Sequence, residues 1–285
     1  MVTVNKILKN LLPPIFLKVV RKFKNQSVSQ ETIKRYNNYQ EAFAECTKDG
    51  YEDDELVRVI LEKTRAYKTH LNSIETLQIS NIIAFSSLSI INLIAAKKTT
   101  INVIDFGGAC GAHYFELKRL LENKILINWI VVETPAMVKY AKELETEELR
   151  FVSSIEEAKS LYSNFDLIYS SGALQCVDNP NLYLQKLLNI KAEYIYFSRL
   201  GMNKMDRDVI TIHSSDLSGN GIGKLPEKFI NKVVRYPFTF FSEQSFLFEL
   251  SKGYKCFMKF DDNTGFYQVP NEQIIGYGLL CKRIN

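Results

Sequence analysis

Glycine and proline are scarce, at 13 and 7 of 285 residues. Collagen-like and low-complexity disordered chains carry far more of both, so those classes are excluded. Histidine occurs three times. The five cysteines, Cys46, Cys110, Cys176, Cys256 and Cys281, are scattered and include no CxxC pair. That pattern argues against a structural zinc site and a disulfide framework. It predicts free, mostly buried thiols in a reducing, cytosolic compartment. An apolar run of the roughly 18 residues that a membrane span needs is also missing. Residues 79–96 come closest, but Ser80, Asn81, Ser86, Ser87, Ser89 and Asn92 interrupt them, and they read as a buried helix. No cleavable leader is expected, because Lys9 and Pro13-Pro14 cut the first apolar stretch and no A-x-A site follows.

A broad basic face is absent as well. The net charge is +4. Residues 1–24 hold Lys6, Lys9, Lys18, Arg21, Lys22 and Lys24 and no acid, which leaves 30 basic and 32 acidic residues in the rest. No nucleic-acid partner is expected from such a distribution. Within 4–23, Val4, Ile7, Leu8, Leu11, Ile15 and Val19 recur at helical spacing with lysines between them. This is the pattern of a basic amphipathic helix, split at Pro13-Pro14, that lies on an anionic membrane surface. Its alternative is a helix packed on its own domain. A polar linker, 25–38, follows.

What is present is ordinary globular composition, 46% apolar and 24% charged. Residues 39–98 read as an N-terminal helical cap, with one helix opened by Asp53, Asp54 and Glu55 and a second over 75–97. From 99 to 285 short apolar runs alternate with helices. Strands are predicted at 101–106, 127–133, 149–154, 165–171 and 192–198, with helices at 113–123, 135–144 and 181–188. Continuous apolar strands separated by helices predict a mostly parallel, Rossmann-like α/β sheet covered on both faces. Two last strands, 253–260 and 274–282, lie too close for a crossover helix and predict an antiparallel hairpin on its edge.

The segment VIDFGGACG, 103–111, is the most informative. Ligands bind open parallel sheets at the carboxyl ends of strands, where glycine admits the ligand and a helix N-terminus offers free N–H groups. Gly107, Gly108 and Gly111 occupy this turn, Asp105 ends the strand before it, and Glu133 ends the next strand, positioned for ribose hydroxyls. The dinucleotide pattern G-x-G-x-x-G fits poorly, since Gly107 is followed by Ala109 and Ala112. A nicotinamide-dependent oxidoreductase is therefore disfavoured. An acid two residues ahead of the first glycine suits a cofactor with a cationic amino-acid end and no phosphate, S-adenosylmethionine. Asp105, Gly107, Ala109 and Gly111 match its [DE]-x-G-x-[GA]-x-G pattern.

At this point the chain resembles a family of class I methyltransferases encoded in bacterial surface-polysaccharide (O-antigen and capsule) gene clusters. The matching blocks are LLPPIFLK, YQEAFAECTKDGYEDDELVRVILEKT, VIDFGGACGAHYFELKRLL, NWIVVETPAMV, LRFVSSIEEA, DLIYSSGALQCVDNP, DRDVITIH and RYPFTFFS. They run through most of the chain in order; SSDLSGNGIGKLPEKF, 214–229, departs from the family pattern. The resemblance implies methyl transfer in a glycan setting, with a small-molecule or lipid-linked glycan acceptor. It also implies cofactor contacts from Ser153 and Ser154 at the end of strand three and from Ser170 and Ser171 at the end of strand four, with Gln175 toward the acceptor. Arg207, in the loop after strand five, has two readings of equal weight: a contact to a phosphate or carboxylate of the acceptor, and a surface ion pair. Asp178 is expected to cap the helix after it. His213 and His113 are candidates for a general base on a hydroxyl acceptor. A non-catalytic methyltransferase-like scaffold of a membrane-bound polysaccharide assembly is the competing reading.

Overall fold

The computed structural model describes residues 33–47, 50–77, 82–121, 125–262 and 268–284. The chain divides into two compact units, Met1–Lys34 and Arg35–Asn285. The basic segment 1–24 and linker residues 25–32 lie outside the described residues. In the second unit, residues 35–38 of the expected linker are tied down. Tyr36 bridges Ile210, and Asn38 caps α1 (Tyr39–Phe43).

Helix α2 (Asp54–Ser73) starts where the sequence supplies a cap. Asp53 accepts a hydrogen bond from Leu56 N at 3.0 Å, and Asp54 and Glu55 face the positive end of the helix dipole. Helix α3 (Ile82–Ala95) is shorter than expected; residues 74–77 are not helical. Strands β1 (Thr100–Phe106), β2 (Leu126–Val132), β3 (Leu149–Val152), β4 (Leu167–Ser171) and β5 (Tyr194–Asn203) fall on the predicted runs and pair in parallel in the order β3-β2-β1-β4-β5. Between them lie α4 (Ala112–Leu120), α5 (Pro135–Ala141), α6 (Ile155–Leu161) and α7 (Pro180–Leu188). Helices α5, α6 and α7 are capped by Thr134, Ser154 and Asn179.

The predicted terminal hairpin forms. β8 (Tyr254–Asp261) and β9 (Ile274–Arg283) are antiparallel, and β9 joins β5 antiparallel. The sequence reading assigned no strands to 209–216 and 233–242. They form a second hairpin, β6 (Val209–Asp216) and β7 (Val233–Ser242), attached where Met202 and Asn203 of β5 meet Phe241 and Ser242. Helix α8 (Glu243–Ser251) follows β7. The available signal was the run of β-branched residues Val209, Ile210, Thr211 and Ile212.

Side chains alternate along the strands and fill two apolar layers. Val103, Trp129, Tyr169 and Tyr196 face the layer that holds residues of α2 to α5, while Ile104, Ile130, Ile168 and Ile195 face the layer that holds residues of α6 to α8. Tyr169 and Tyr196 stack at 4.7 Å, and their hydroxyls bond to Ser87 (2.9 Å) and Ser86 (2.8 Å) of α3. Two of the serines that break the apolar run of 79–96, Ser86 and Ser87, are thus the partners of two buried tyrosines, and leaving those hydroxyls unpaired would cost about 1–3 kcal/mol each. The expectation of five free thiols is corrected. Cys256 and Cys281 stand opposite each other on β8 and β9 and are joined in a disulfide, while Cys46, Cys110 and Cys176 are free. They are 25 residues apart in sequence, so spacing alone did not signal the pairing. Among the described residues no helix is long and apolar enough to cross a membrane.

Candidate active site

The carboxyl ends of the parallel strands open into a cavity of about 1190 Å³. That exceeds the roughly 300–1,000 Å³ of a pocket for one small ligand, so cofactor and acceptor can share it.

Its floor is the glycine turn. Gly107, Ala109 and Gly111 all have left-handed backbones (φ 74°, 50° and 77°). A Cβ on Gly107 would come within 2.0 Å of Ala173 Cβ, and one on Gly108 within 2.2 Å of Asp105 Oδ2. Glycine is therefore required at both positions by contact, and at Gly107 by conformation as well. Glu133 meets the turn from β2: its carboxylate accepts Ala109 N–H and Thr134 N–H, each at 2.9 Å, and it lines the cavity. Burial raises its pKa, against the pull of those two backbone donors.

Several expected site residues are redirected. Asp105 does not line the cavity; it is 1% exposed, accepts a hydrogen bond from Trp129 Nε1 at 2.9 Å, and supports Gly108 from beneath. Burial pushes its carboxyl up to about 8. Gly111 begins α4 in a left-handed turn outside the lining. Ser170 is buried and donates to Phe106 O. Gln175 is buried and donates to Arg199 O. Arg207 is bound to Glu272 through Nε and Nη2 and lines a separate pocket of about 220 Å³. Asn179 rather than Asp178 caps α7, which frees Asp178 to line the cavity. Asp105, Ser170, Gln175 and Arg207 each met a closer internal partner, which sequence spacing does not reveal.

Others reach the cavity. Gly107, Gly108, Ala109, Glu133, Ser153, Ser154 and Ser171 line it, as do both histidines. Ser154 also caps α6, and Ser153 Oγ donates to Glu157. His113, in the first turn of α4, packs its ring against Tyr169 at 5.4 Å and forms no hydrogen bond with the described residues. Burial, aided by the Arg199 charge, lowers its pKa to about 4, so the ring is neutral at pH 7. His213 projects from β6 between Tyr236 (5.3 Å) and Phe238 (5.6 Å), and burial lowers its pKa too.

Sequence reasoning missed Tyr51 and Arg199. Tyr51 follows Gly50, whose φ is 53°, and meets Tyr236 edge-on at 5.5 Å in the cavity wall. Its hydroxyl pKa is raised by burial. Arg199 sits in β5 at a register shift and carries its guanidinium into the cavity. Tyr51 lies within the matching block 39–64 without a role of its own there, and Arg199 lies outside every block. An isolated arginine inside an apolar strand, Tyr194 to Asn203, was the available signal for the second.

No protein-family model matches the chain, and no curated protein matches it. Solved structures with similar folds include an S-adenosylmethionine-dependent methyltransferase from Clostridium acetobutylicum ATCC 824 (11% identity, 71% of this chain and 92% of that one, TM-score 0.43). The N-terminal domain of EvdMO1, solved in the presence of SAH and D-fucose, is another (12%, 78% and 96%, TM-score 0.45). A third is the glycopeptide N-methyltransferase MtfA complexed with S-adenosyl-L-methionine (13%, 69% and 86%, TM-score 0.43). These likenesses are weak, and the reading of the site rests on its own geometry.

Proposed function

We propose that this chain is an S-adenosylmethionine-dependent methyltransferase acting on a hydroxyl of a glycan or glycan precursor. The observation that carries the reading is the junction of the glycine turn with Glu133, in which Ala109 N–H binds a carboxylate at the floor of the large cavity. The residues fit the cofactor. The cradle is too tight for a Cβ at Gly107 and Gly108, and Glu133 keeps acceptor capacity for ribose hydroxyls. Ser153 and Ser154 stand at the β3 side, toward the adenine. The bound cofactor supplies an electrophilic methyl group. The chain's part is to orient the acceptor, which recovers much of the entropic barrier of an in-line displacement, and to take up its proton. His113 serves as the base: its ring lines the cavity and has no hydrogen-bond partner among the described residues, while burial and the Arg199 charge keep it weakly basic until an anion offsets that charge. His213, Tyr236 and Tyr51 form the wall against which an acceptor packs.

Calorimetry tests this directly. S-adenosylmethionine and its demethylated product should bind with micromolar affinity, whereas NAD should give no heat. Absence of heat with the first two sinks the reading.

The same reading places the protein at the inner membrane surface where lipid-linked glycans are assembled, through residues 4–24. Its support is the basic amphipathic pattern of that segment. Liposome flotation of the full chain should exceed that of a chain beginning at Asn25, and equal flotation would overturn it.

A further inference from the structure

Arg199 has a left-handed backbone, φ 51°, which a non-glycine residue holds only under constraint. The constraint comes from two buried side chains. Asp262, 2% exposed, accepts the Arg199 N–H at 2.8 Å. Gln175, 1% exposed, donates to its carbonyl at 2.5 Å. The irregularity between Phe197 and Leu200 takes the residue out of the ladder with β9, so that Arg199 is the exposed position in a strand whose other nine residues are buried.

The guanidinium is then laid over Gly172, where a Cβ would approach Arg199 Nε to 3.1 Å and Cζ to 3.3 Å. Nε and Nη2 donate to Ser171 Oγ (3.0 Å) and Ser171 O (2.7 Å). Among the described residues no carboxylate pairs with this guanidinium, and Nη1 has no partner. Arg207, by contrast, is paired with the buried Glu272 carboxylate through Nε and Nη2. Arginine is charged at every working pH, and its fork of donors matches carboxylate and phosphate oxygens. A strained backbone, two buried braces and an unpaired cation facing a cavity together describe a prepared anion anchor.

We propose that Arg199 binds a carboxylate or phosphate carried by the acceptor, making the acceptor an anionic sugar held beside His113. This rests on the methyltransferase reading. The cofactor's own carboxylate is the other source of such an anion. Two features favour the acceptor. β5 lies three strands from Glu133 on β2, about 14 Å at the usual strand spacing. The first-turn N–H groups of α4, at the glycine turn itself, already offer donors to a cofactor carboxylate.

The test uses the full chain saturated with S-adenosylhomocysteine, observed by saturation-transfer NMR with methyl β-D-glucuronide and the uncharged methyl β-D-glucoside. The glucuronide should receive transfer that inorganic phosphate displaces, and the glucoside at least fivefold less. R199Q and R199G should each lose the glucuronide signal at least fivefold, with S-adenosylhomocysteine affinity within twofold of the unaltered chain. R199G keeps the test sound if R199Q misfolds, because glycine adopts this φ without strain. Equal transfer in all three chains, or none in the unaltered one, overturns the proposal. So does a tenfold loss of S-adenosylhomocysteine affinity in R199G with 5′-methylthioadenosine affinity unchanged, which would assign the anion to the cofactor. Failure of the unaltered chain to bind S-adenosylhomocysteine at all refutes the methyltransferase reading, and this is seen before any sugar is added.

Discussion

The cavity has two walls built in opposite ways. The proposed cofactor wall comes from one short span, Gly107 to His113, and one strand end, where Ala109 N–H bonds to the Glu133 carboxylate and Gly107 N–H to Val132 O. The proposed acceptor wall is gathered from Tyr51, Arg199, His213, Tyr236 and the loop 219–222, which line the cavity from places far apart in sequence. That loop depends on α2: Lys63, 2% exposed, donates to the carbonyls of Ser218 (2.9 Å) and Asn220 (2.5 Å). A local wall is fixed by turn sterics. A dispersed wall is fixed by packing, and it can change its ligand without disturbing the first.

Four substitutions probe the division. His113 belongs to the cofactor wall by position and to the acceptor by role. His113→Asn should reduce incorporation of labelled methyl into a glycan-precursor extract by about 10²–10⁴-fold, the usual contribution of a general base. S-adenosylhomocysteine affinity should stay within twofold, and unchanged transfer would remove His113 from the chemistry.

Asp105→Asn concerns the foundation of the cofactor wall. The folded carboxyl titrates at about 8, well above its unfolded value near 3.9. The folded state therefore holds the extra proton across that interval. The stability this gives is whole below about pH 4 and is lost as pH rises through 8. Asparagine does not ionise and still accepts from Trp129. The variant should gain on the native chain by a few kcal/mol between pH 4.5 and 8 in urea unfolding. A constant difference would show that Asp105 stays ionised.

Glu133→Ala removes the acceptor of two backbone donors and the ribose site. With a charge-assisted hydrogen bond worth about 1.5–3 kcal/mol, S-adenosylhomocysteine affinity should fall about 100-fold by calorimetry. A loss of less than threefold would detach this residue from the cofactor. Lys63→Met is the smallest change and the sharpest test of independence. Hydrogen exchange in 217–222 should rise about tenfold while S-adenosylhomocysteine affinity holds. Linked changes in both would show that the walls are one unit.

The parallel strands, their order of appearance, the terminal hairpin and the glycine turn were legible in the sequence, because each follows from local pattern. Apolar runs of strand length alternate with capped helices, and Gly107 and Gly108 sit where no Cβ fits. The roles of Asp105, Ser170, Gln175 and Arg207 were not legible, because each is decided by the nearest partner in space. Trp129, Phe106 O, Arg199 O and Glu272 are those partners. The same holds for Cys256 and Cys281, which meet only because β8 and β9 pair in one register.

The sequence by itself determined the five parallel strands, the terminal hairpin, the glycine turn and the place of the basic charge, since periodicity, glycine sterics and composition act over a few residues. The tertiary structure alone decided which acids, serines and arginines face the cavity. Burial and hydrogen bonding are properties of neighbours in space, and for Arg199 those neighbours, Gln175 and Asp262, lie 24 and 63 residues away.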